Sequence, residues 1–112
     1  MRLLVALDDD NGLDSKLSLH FGYCPFFALY DVEEKNLKII KNDLNHSSPD
    51  LTPVDQVMKS KPDVVFSLGM GQRAIGLFAE KNIKLKKGNF KILKEVIDNF
   101  DSLDDLEDSC GH

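Results

Sequence analysis

The sequence predicts a single-domain α/β fold in which helices flank a mixed sheet of about five strands. Two short apolar runs, at 3–7 and 63–68, have the unbroken hydrophobic pattern of strands that are buried on both faces. Two further apolar segments, at 26–32 and 37–41, flank a polar turn and are typical of an antiparallel hairpin. Helical and strand patterns alternate in the second half of the chain. Right-handed helical crossovers between parallel strands are therefore expected beside the hairpin.

Length and composition limit the chain to one hydrophobic core. It has 112 residues, of which 42% are hydrophobic, and this suffices for one compact domain. No stretch approaches the roughly 20 continuous apolar residues of a membrane helix, and the apolar start of the chain runs into acids at 8–10. We therefore expect a cytoplasmic protein without a membrane partner. In a reducing compartment, Cys24 and Cys110 are expected to be thiols.

Charge is distributed unevenly along the chain. All 14 Lys and Arg residues lie before position 101, where 14 of the 19 acids balance them. The remaining five acids lie close together near the C-terminus, with no base among them. We expect a domain at 1–100 and an acidic, flexible tail at 101–112. Nucleic acid is not an expected partner, because the one lysine-rich stretch, at 81–94, lacks Arg and a row of aromatics for base stacking.

The first strand is expected at the centre of the sheet, since it is apolar on both faces. A long loop at 8–25 separates it from the hairpin. Loops of that length inside a small domain tend to be functional or disordered. We therefore expect a functional site in this loop.

Capping signals set the expected helix boundaries. A helix begins after Thr52, which is a good N-cap, and ends near residue 60, because Pro62 disfavours helical geometry in the residue before it. A second helix follows Gly71 and extends to about residue 81, where Asn82 is its C-terminal cap. The expected unit in this region is strand, turn and helix.

The end of the domain is less regular. A short strand at 83–86 carries lysines, which commonly protect the edge of a sheet, so an edge position is expected. A last helix at 90–100, capped by Asn89, follows from apolar residues at helical spacing.

The first candidate metal site is the pair His20 and Cys24 in the long loop. Imidazole and thiolate suit iron, zinc or copper(I), and Gly22 and Pro25 permit a tight turn that brings the two together. The alternative is structural: His20 fills the top of the core, and Cys24 acts as a small apolar residue. A His-Cys pair is far less specific than paired Cys-x-x-Cys motifs.

Three further residues extend the list of metal ligands. Cys110 and His112 at the C-terminus could swing onto a metal, although chain ends are generally loose. His46 is a weaker ligand, because a histidine in a polar loop is commonly only exposed.

A candidate anion site lies at the turn between the second buried strand and its helix. The turn is Gly69, Met70, Gly71, Gln72 and Arg73. Backbone N–H groups at a helix start favour an anion, and the arginine adds a bidentate donor. The turn is neither a Walker A motif nor a complete dinucleotide fingerprint. The glycines could equally serve only the tight turn and close helix packing.

Two motifs in this order resemble the dinitrogenase iron-molybdenum cofactor biosynthesis family. They are Ser-Leu-His-Phe-Gly at 18–22 and Gly-Met-Gly-Gln-Arg-Ala at 69–74, and the similarity spans nearly the whole chain. The resemblance implies a ribonuclease H-like fold without nuclease activity. It also implies a role in binding or passing iron-sulfur or iron-molybdenum clusters to cluster-assembly or acceptor proteins.

The resemblance also implies site residues. His20 is similar to the signature histidine of the family, and Cys24, Cys110 and His112 resemble features of some members. The sequence departs from the family pattern in two places. Residues 46–50 replace a glycine-rich loop, and the strand after the second helix is rich in lysine.

Three functions are compatible with these features. The first is a non-enzymatic carrier of a metal cluster, which uses His20 and Cys24. The second is a regulator or enzyme that binds a phosphorylated small molecule at the turn 69–73. The third is a protein-interaction module that acts through the acidic tail.

Overall fold

The computed structural model describes residues 1–21, 23–43 and 53–106. In these residues the chain forms a six-stranded mixed sheet with the strand order β3-β2-β1-β4-β5-β6 and three α-helices. The strands are β1 (Arg2–Leu7), β2 (Phe26–Asp31), β3 (Asn36–Lys41), β4 (Val64–Phe66), β5 (Lys84–Lys87) and β6 (Asp104–Asp105). The helices are α1 (Pro53–Val57), α2 (Gln72–Glu80) and α3 (Leu93–Asp98). The predicted single-domain α/β class is confirmed, with six strands in place of about five.

Strand β1 lies in the interior of the sheet, as its unbroken apolar sequence predicts. It pairs antiparallel with β2 and parallel with β4. Leu3, Val5 and Leu7 face one side and Leu4 and Ala6 face the other, and all five are buried. A strand that is covered on both faces can be apolar at every position.

The β2–β3 hairpin is confirmed, and its turn is held by Asp31. One carboxylate oxygen of Asp31 accepts hydrogen bonds from the backbone N–H groups of Glu33 and Glu34, at 3.1 and 3.0 Å. These bonds lower the pKa of the Asp31 carboxyl, because they stabilise its ionised form. Lys35 then takes a left-handed conformation with φ 55°, and β3 begins at the next residue.

Helices cover the two faces of the sheet. Helix α3 buries Leu93 and Val96 on the face that carries Leu3, Val5 and Leu7. Helices α1 and α2 bury Val54, Val57, Ile75 and Phe78 on the other face. Two apolar clusters result, one on each side of β1 and β4.

The first two helices end where the sequence predicts. Helix α1 continues into a 3-10 turn at Met58–Ser60, and Lys61 then has φ 53° before the buried Pro62. Asn82, after α2, has φ 60°, the left-handed conformation expected at a helix end. The predicted N-cap Thr52 lies outside the described residues.

Helix α3 is shorter than predicted, since it begins at Leu93 and not at residue 90. Ile92 forms an isolated bridge with Lys16, and this bridge holds Ile92 in an extended conformation just before the helix. A side-chain oxygen of Glu95 accepts hydrogen bonds from the N–H groups of Lys91 and Ile92, at 3.1 and 3.2 Å. This carboxylate caps the helix, and the predicted cap Asn89 does not.

The predicted edge position of β5 and the predicted start of the tail at residue 101 are corrected by β6. Asp104 and Asp105 pair antiparallel with Lys87 and Lys86, so β6 covers the edge of β5. Leu103 is only 9% exposed, and Leu106 N–H donates to the carbonyl of Leu85 at 2.9 Å. Residues 101–106 therefore belong to the domain. No helix in the described ranges is long and apolar enough to cross a membrane.

Candidate functional site

The two sequence motifs meet where β1 and β4 end. Ser18 is tied to the end of β1, because its N–H donates to the carbonyl of Ala6 at 3.0 Å. Gly69 follows β4, and a Cβ atom added to it would lie 3.5 Å from the Leu19 carbonyl oxygen. Strands β1 and β4 run parallel to each other, so their carboxyl ends lie at the same edge of the sheet. Ligands of open α/β folds bind at this edge.

Two buried serines shape this edge, and the sequence alone did not single them out. The Ser67 hydroxyl donates to the Gly69 carbonyl at 2.6 Å and accepts from the Gly69 N–H at 3.1 Å. The Ser18 hydroxyl accepts from the His20 N–H at 3.1 Å. Each serine is only 2% exposed. A serine two residues before the residue that it holds is the usual signal of such a turn, and the sequence has one at the start of the first motif and one just before the second.

His20 lies at the surface and is not part of the core. The Tyr23 N–H donates to its carbonyl at 3.2 Å, which closes a tight turn. Leu19 is 66% exposed and Tyr23 is 77% exposed, so two large side chains stand in solvent on either side of the histidine. The exposed imidazole is accessible to an incoming ligand.

Cys24, four residues later, points into the core. Its side chain is only 3% exposed and packs in the same apolar cluster as Phe27 and the half-buried Phe21. The ring of Phe21 lies 5.5 Å from that of Phe27 and 5.6 Å from that of Phe78. The Asn42 side-chain amide donates to the Cys24 carbonyl at 2.6 Å. His20 and Cys24 therefore occupy the same loop, but one is exposed and the other is buried.

His46, Cys110 and His112 lie outside the described residues. Within the ranges that the structure describes, no three His, Cys, Asp or Glu side chains are grouped closely enough to hold a metal ion.

The turn at 69–73 has the features of an anion site. Gly71 is the N-cap of α2, and the Ile75 N–H donates to its carbonyl at 3.1 Å. The first turn of α2 contains no acid, and Arg73 is exposed there, whereas Met70 is half-buried against the core. The positive end of the helix dipole and the guanidinium therefore act together on an approaching anion.

A groove of about 520 Å³ continues this edge toward β5 and β6. Its lining residues are Leu19, Leu68, Lys87, Gly88, Asn89, Phe90 and Asp104. Because Leu19 belongs both to this groove and to the histidine loop, the groove is an extension of the candidate site.

Known proteins match this chain in sequence and in fold. Residues 1–103 match the sequence model of the family described as dinitrogenase iron-molybdenum cofactor. No curated protein matches the chain. The solved structure of PH0822 is 27% identical, with a TM-score of 0.75 over 89% of this chain and 88% of that one.

Two further solved structures share the fold. TM1290 from Thermotoga, provisionally named a NifB protein, is 23% identical with a TM-score of 0.74 over 94% of this chain and 92% of that one. The apo form of the orange protein from Desulfovibrio gigas is 18% identical with a TM-score of 0.77 over the same shares. Since the family match covers residues 1–103 of 112, the chain belongs to the dinitrogenase iron-molybdenum cofactor family.

Proposed function

We propose that this protein is a non-enzymatic carrier of a metal cluster of the iron-sulfur or iron-molybdenum type, related to nitrogenase cofactor assembly. The family match over residues 1–103 carries the proposal. The similarity to TM1290, which is provisionally named a NifB protein, agrees with it. The strand order β3-β2-β1-β4-β5 also agrees with the ribonuclease H-like fold that the sequence resemblance implies. Cluster-assembly or acceptor proteins would be the partners.

The proposed cluster site lies between His20 and the turn at 69–73. A cluster with its own sulfides is anionic at its surface, so a guanidinium and a helix N-terminus provide favourable charge for it. The exposed imidazole of His20 provides a ligand from the adjacent loop. Few protein ligands are needed, because a carrier must also release the cluster.

Cys24 has a different place in this proposal. A thiolate ligand would have to leave the apolar cluster in which Cys24 is only 3% exposed. Exposing that core costs free energy each time a cluster is bound. We therefore propose that His20 is the ligand in the described part of the loop and that Cys24 fills the core. Cys110 and His112 remain proposed ligands from the C-terminal segment.

Anaerobic reconstitution tests the carrier function. The purified protein is incubated with ferrous iron and sulfide, with or without molybdate, and bound metal and visible absorption are measured after desalting. We expect about one cluster per chain. Because a hydrogen bond to a charged group contributes about 1.5–3 kcal/mol, Arg73→Ala should weaken uptake about 10- to 100-fold. His20→Ala should lose most of the uptake, and Cys24→Ala should retain it.

Two controls match these variants. Lys59→Ala removes an exposed cation outside the site, and Leu13→Ala removes an exposed side chain from the same long loop as His20. Both should bind like the wild type. Uptake that His20→Ala and Arg73→Ala leave unchanged would exclude this site, and no uptake under any condition would exclude the carrier function.

A phosphorylated small molecule at the same turn is the second candidate, favoured by the acid-free first turn of α2 with Arg73. Titration with inorganic phosphate distinguishes the two functions. The second function predicts binding that requires Arg73 and is indifferent to His20→Ala, together with no cluster uptake.

A further inference from the structure

A second groove lies at the opposite end of the sheet from the candidate site. Its volume is about 370 Å³, and it is bordered by the start of β1, the hairpin and the end of α3. Its floor is apolar and includes Tyr30, Val32, Ile97 and Phe100, all of which are half-buried. Helix α3 fully buries Leu93 and Val96 over the centre of the sheet, but these four side chains toward β3 stay partly in solvent.

The rim of the groove carries opposite charges on its two sides. Lys35 lies on the hairpin side, and Asp98 and Asp101 lie on the side of α3 and the turn after it. All three are exposed, and none makes an ion pair with another described residue. An apolar floor between charges of opposite sign has the composition of a protein interface with a polar rim.

Lys35 is also an unfavourable residue for its backbone conformation. Its φ of 55° belongs to the left-handed region, where Gly or Asn is preferred at the end of a hairpin turn. A lysine at this position gives up some turn stability and places a cation at the groove. Backbone strain alone does not assign a role, but here it coincides with the charged rim.

We propose that this groove is the interface with a second copy of the chain, related by a two-fold axis. A two-fold axis places the same surface on both sides of the contact, so each residue faces the residues across the axis. The hairpin side of one copy then meets the α3 side of the other. Lys35 of each copy faces Asp98 and Asp101 of the second copy, and the two apolar floors face each other between these ion pairs. One surface thus supplies both signs of charge, which makes it complementary to itself.

Molar mass in solution tests this interface. Light scattering after size exclusion, over a range of concentrations, should give about twice the chain mass of 12.6 kDa for the wild type. Lys35→Glu should weaken dimerisation by about 100-fold or more, because like charges then face each other twice. The double variant Asp98→Lys with Asp101→Lys should do the same. Lys38→Glu reverses a charge on the other face of the hairpin and should remain dimeric.

Mixing the two monomeric variants is the decisive step. In the mixed dimer, one contact has reversed charges and the other has the wild-type charges, so like charges face each other in neither contact. Equimolar Lys35→Glu and Asp98→Lys/Asp101→Lys proteins should therefore form a heterodimer. If the charges instead attracted each other across the groove of a single chain, the mixture would stay monomeric.

Lys35→Gly separates association from folding. Glycine accepts the left-handed conformation, so the monomer should unfold at the same or a higher urea concentration while its dimer is weakened. A wild-type protein that is monomeric at all concentrations would overturn the proposal. So would a dimer that tolerates both charge reversals, or a mixture of the two variants that fails to associate.

Discussion

Gly88 and Gly76 differ in the space that is available for a side chain. A Cβ atom at Gly88 would come closer to the Phe90 ring than van der Waals contact allows, and that ring lies 6.3 Å from the ring of Phe66. At Gly76, inside α2, nothing lies within 4 Å of an added Cβ. The first glycine makes room for an aromatic side chain that lines the candidate site. The second only adds freedom to the unfolded chain.

The same substitution should therefore have opposite effects at these two positions. Gly88→Ala must displace the Phe90 ring, and overpacking of this kind typically costs about 1–3 kcal/mol. Gly76→Ala should stabilise the protein by about 0.5–1 kcal/mol, since alanine is the better helix former. Urea unfolding at one fixed protein concentration measures both changes. Equal effects at the two glycines would show that the Phe90 ring does not limit the space at Gly88.

Strand β6 is held partly by charge. It has two residues, both acidic, and it pairs with the lysine-rich β5. The Asp105 carboxylate accepts a hydrogen bond from the Lys86 ammonium at 2.5 Å. This hydrogen bond, together with the charge of Lys86, holds the pKa of Asp105 below its ordinary value of 3.8. The lysines that were expected to protect an open edge instead hold a last strand.

This ion pair makes part of the stability dependent on pH. Because the folded-state pKa of Asp105 is lowered, the pair stabilises the fold above about pH 3.8 and is lost as the pH falls through the lowered folded value. Asp105→Asn should therefore reduce the free energy of unfolding near pH 7, and its difference from the wild type should shrink toward about pH 2. Asp104→Asn, on the same strand, is the control, because Asp104 makes no ion pair with another described residue. A difference that persists at low pH would mean that Lys86 does not act through the Asp105 charge.

Across the whole molecule, hydrophobic pattern and turn chemistry predicted the elements in which they dominate. The run at 3–7 is apolar on both faces and lies between two neighbouring strands, and a turn at 32–35 joins β2 and β3 where the polar residues predicted one. The predicted start of α3 was wrong because the helix begins where the Glu95 side chain and the bridge between Ile92 and Lys16 place it. The spacing of apolar residues shows neither of these contacts. Strand β6 was missed because acidic residues normally indicate a solvated tail. Leu103 and Leu106 were the available signal of its burial.

The candidate site was predicted only as two separate motifs. Their sequence positions did not show that Leu19 and Gly69 meet, because that contact depends on the parallel pairing of β1 with β4. The spacing of residues also could not show that His20 is exposed and Cys24 is buried. Four residues apart in a loop, they differ in burial because Phe21 and Phe27 enclose one side of the turn.

The two proposed sites lie at opposite ends of the sheet, and this arrangement predicts that they act independently. Leu3 lines the groove at the hairpin end, whereas β1 ends at Leu7 next to the loop that contains His20. Four residue steps of about 3.3 Å place these ends about 13 Å apart. Effects of substitutions at that separation, without shared contacts, usually add.

Lys35→Glu should therefore take up as much cluster per chain as the wild type, although it is monomeric, and His20→Ala should keep the dimer mass. Metal analysis and light scattering on the same samples measure both quantities. Uptake that falls together with the dimer would instead show that the second copy contributes to the cluster site.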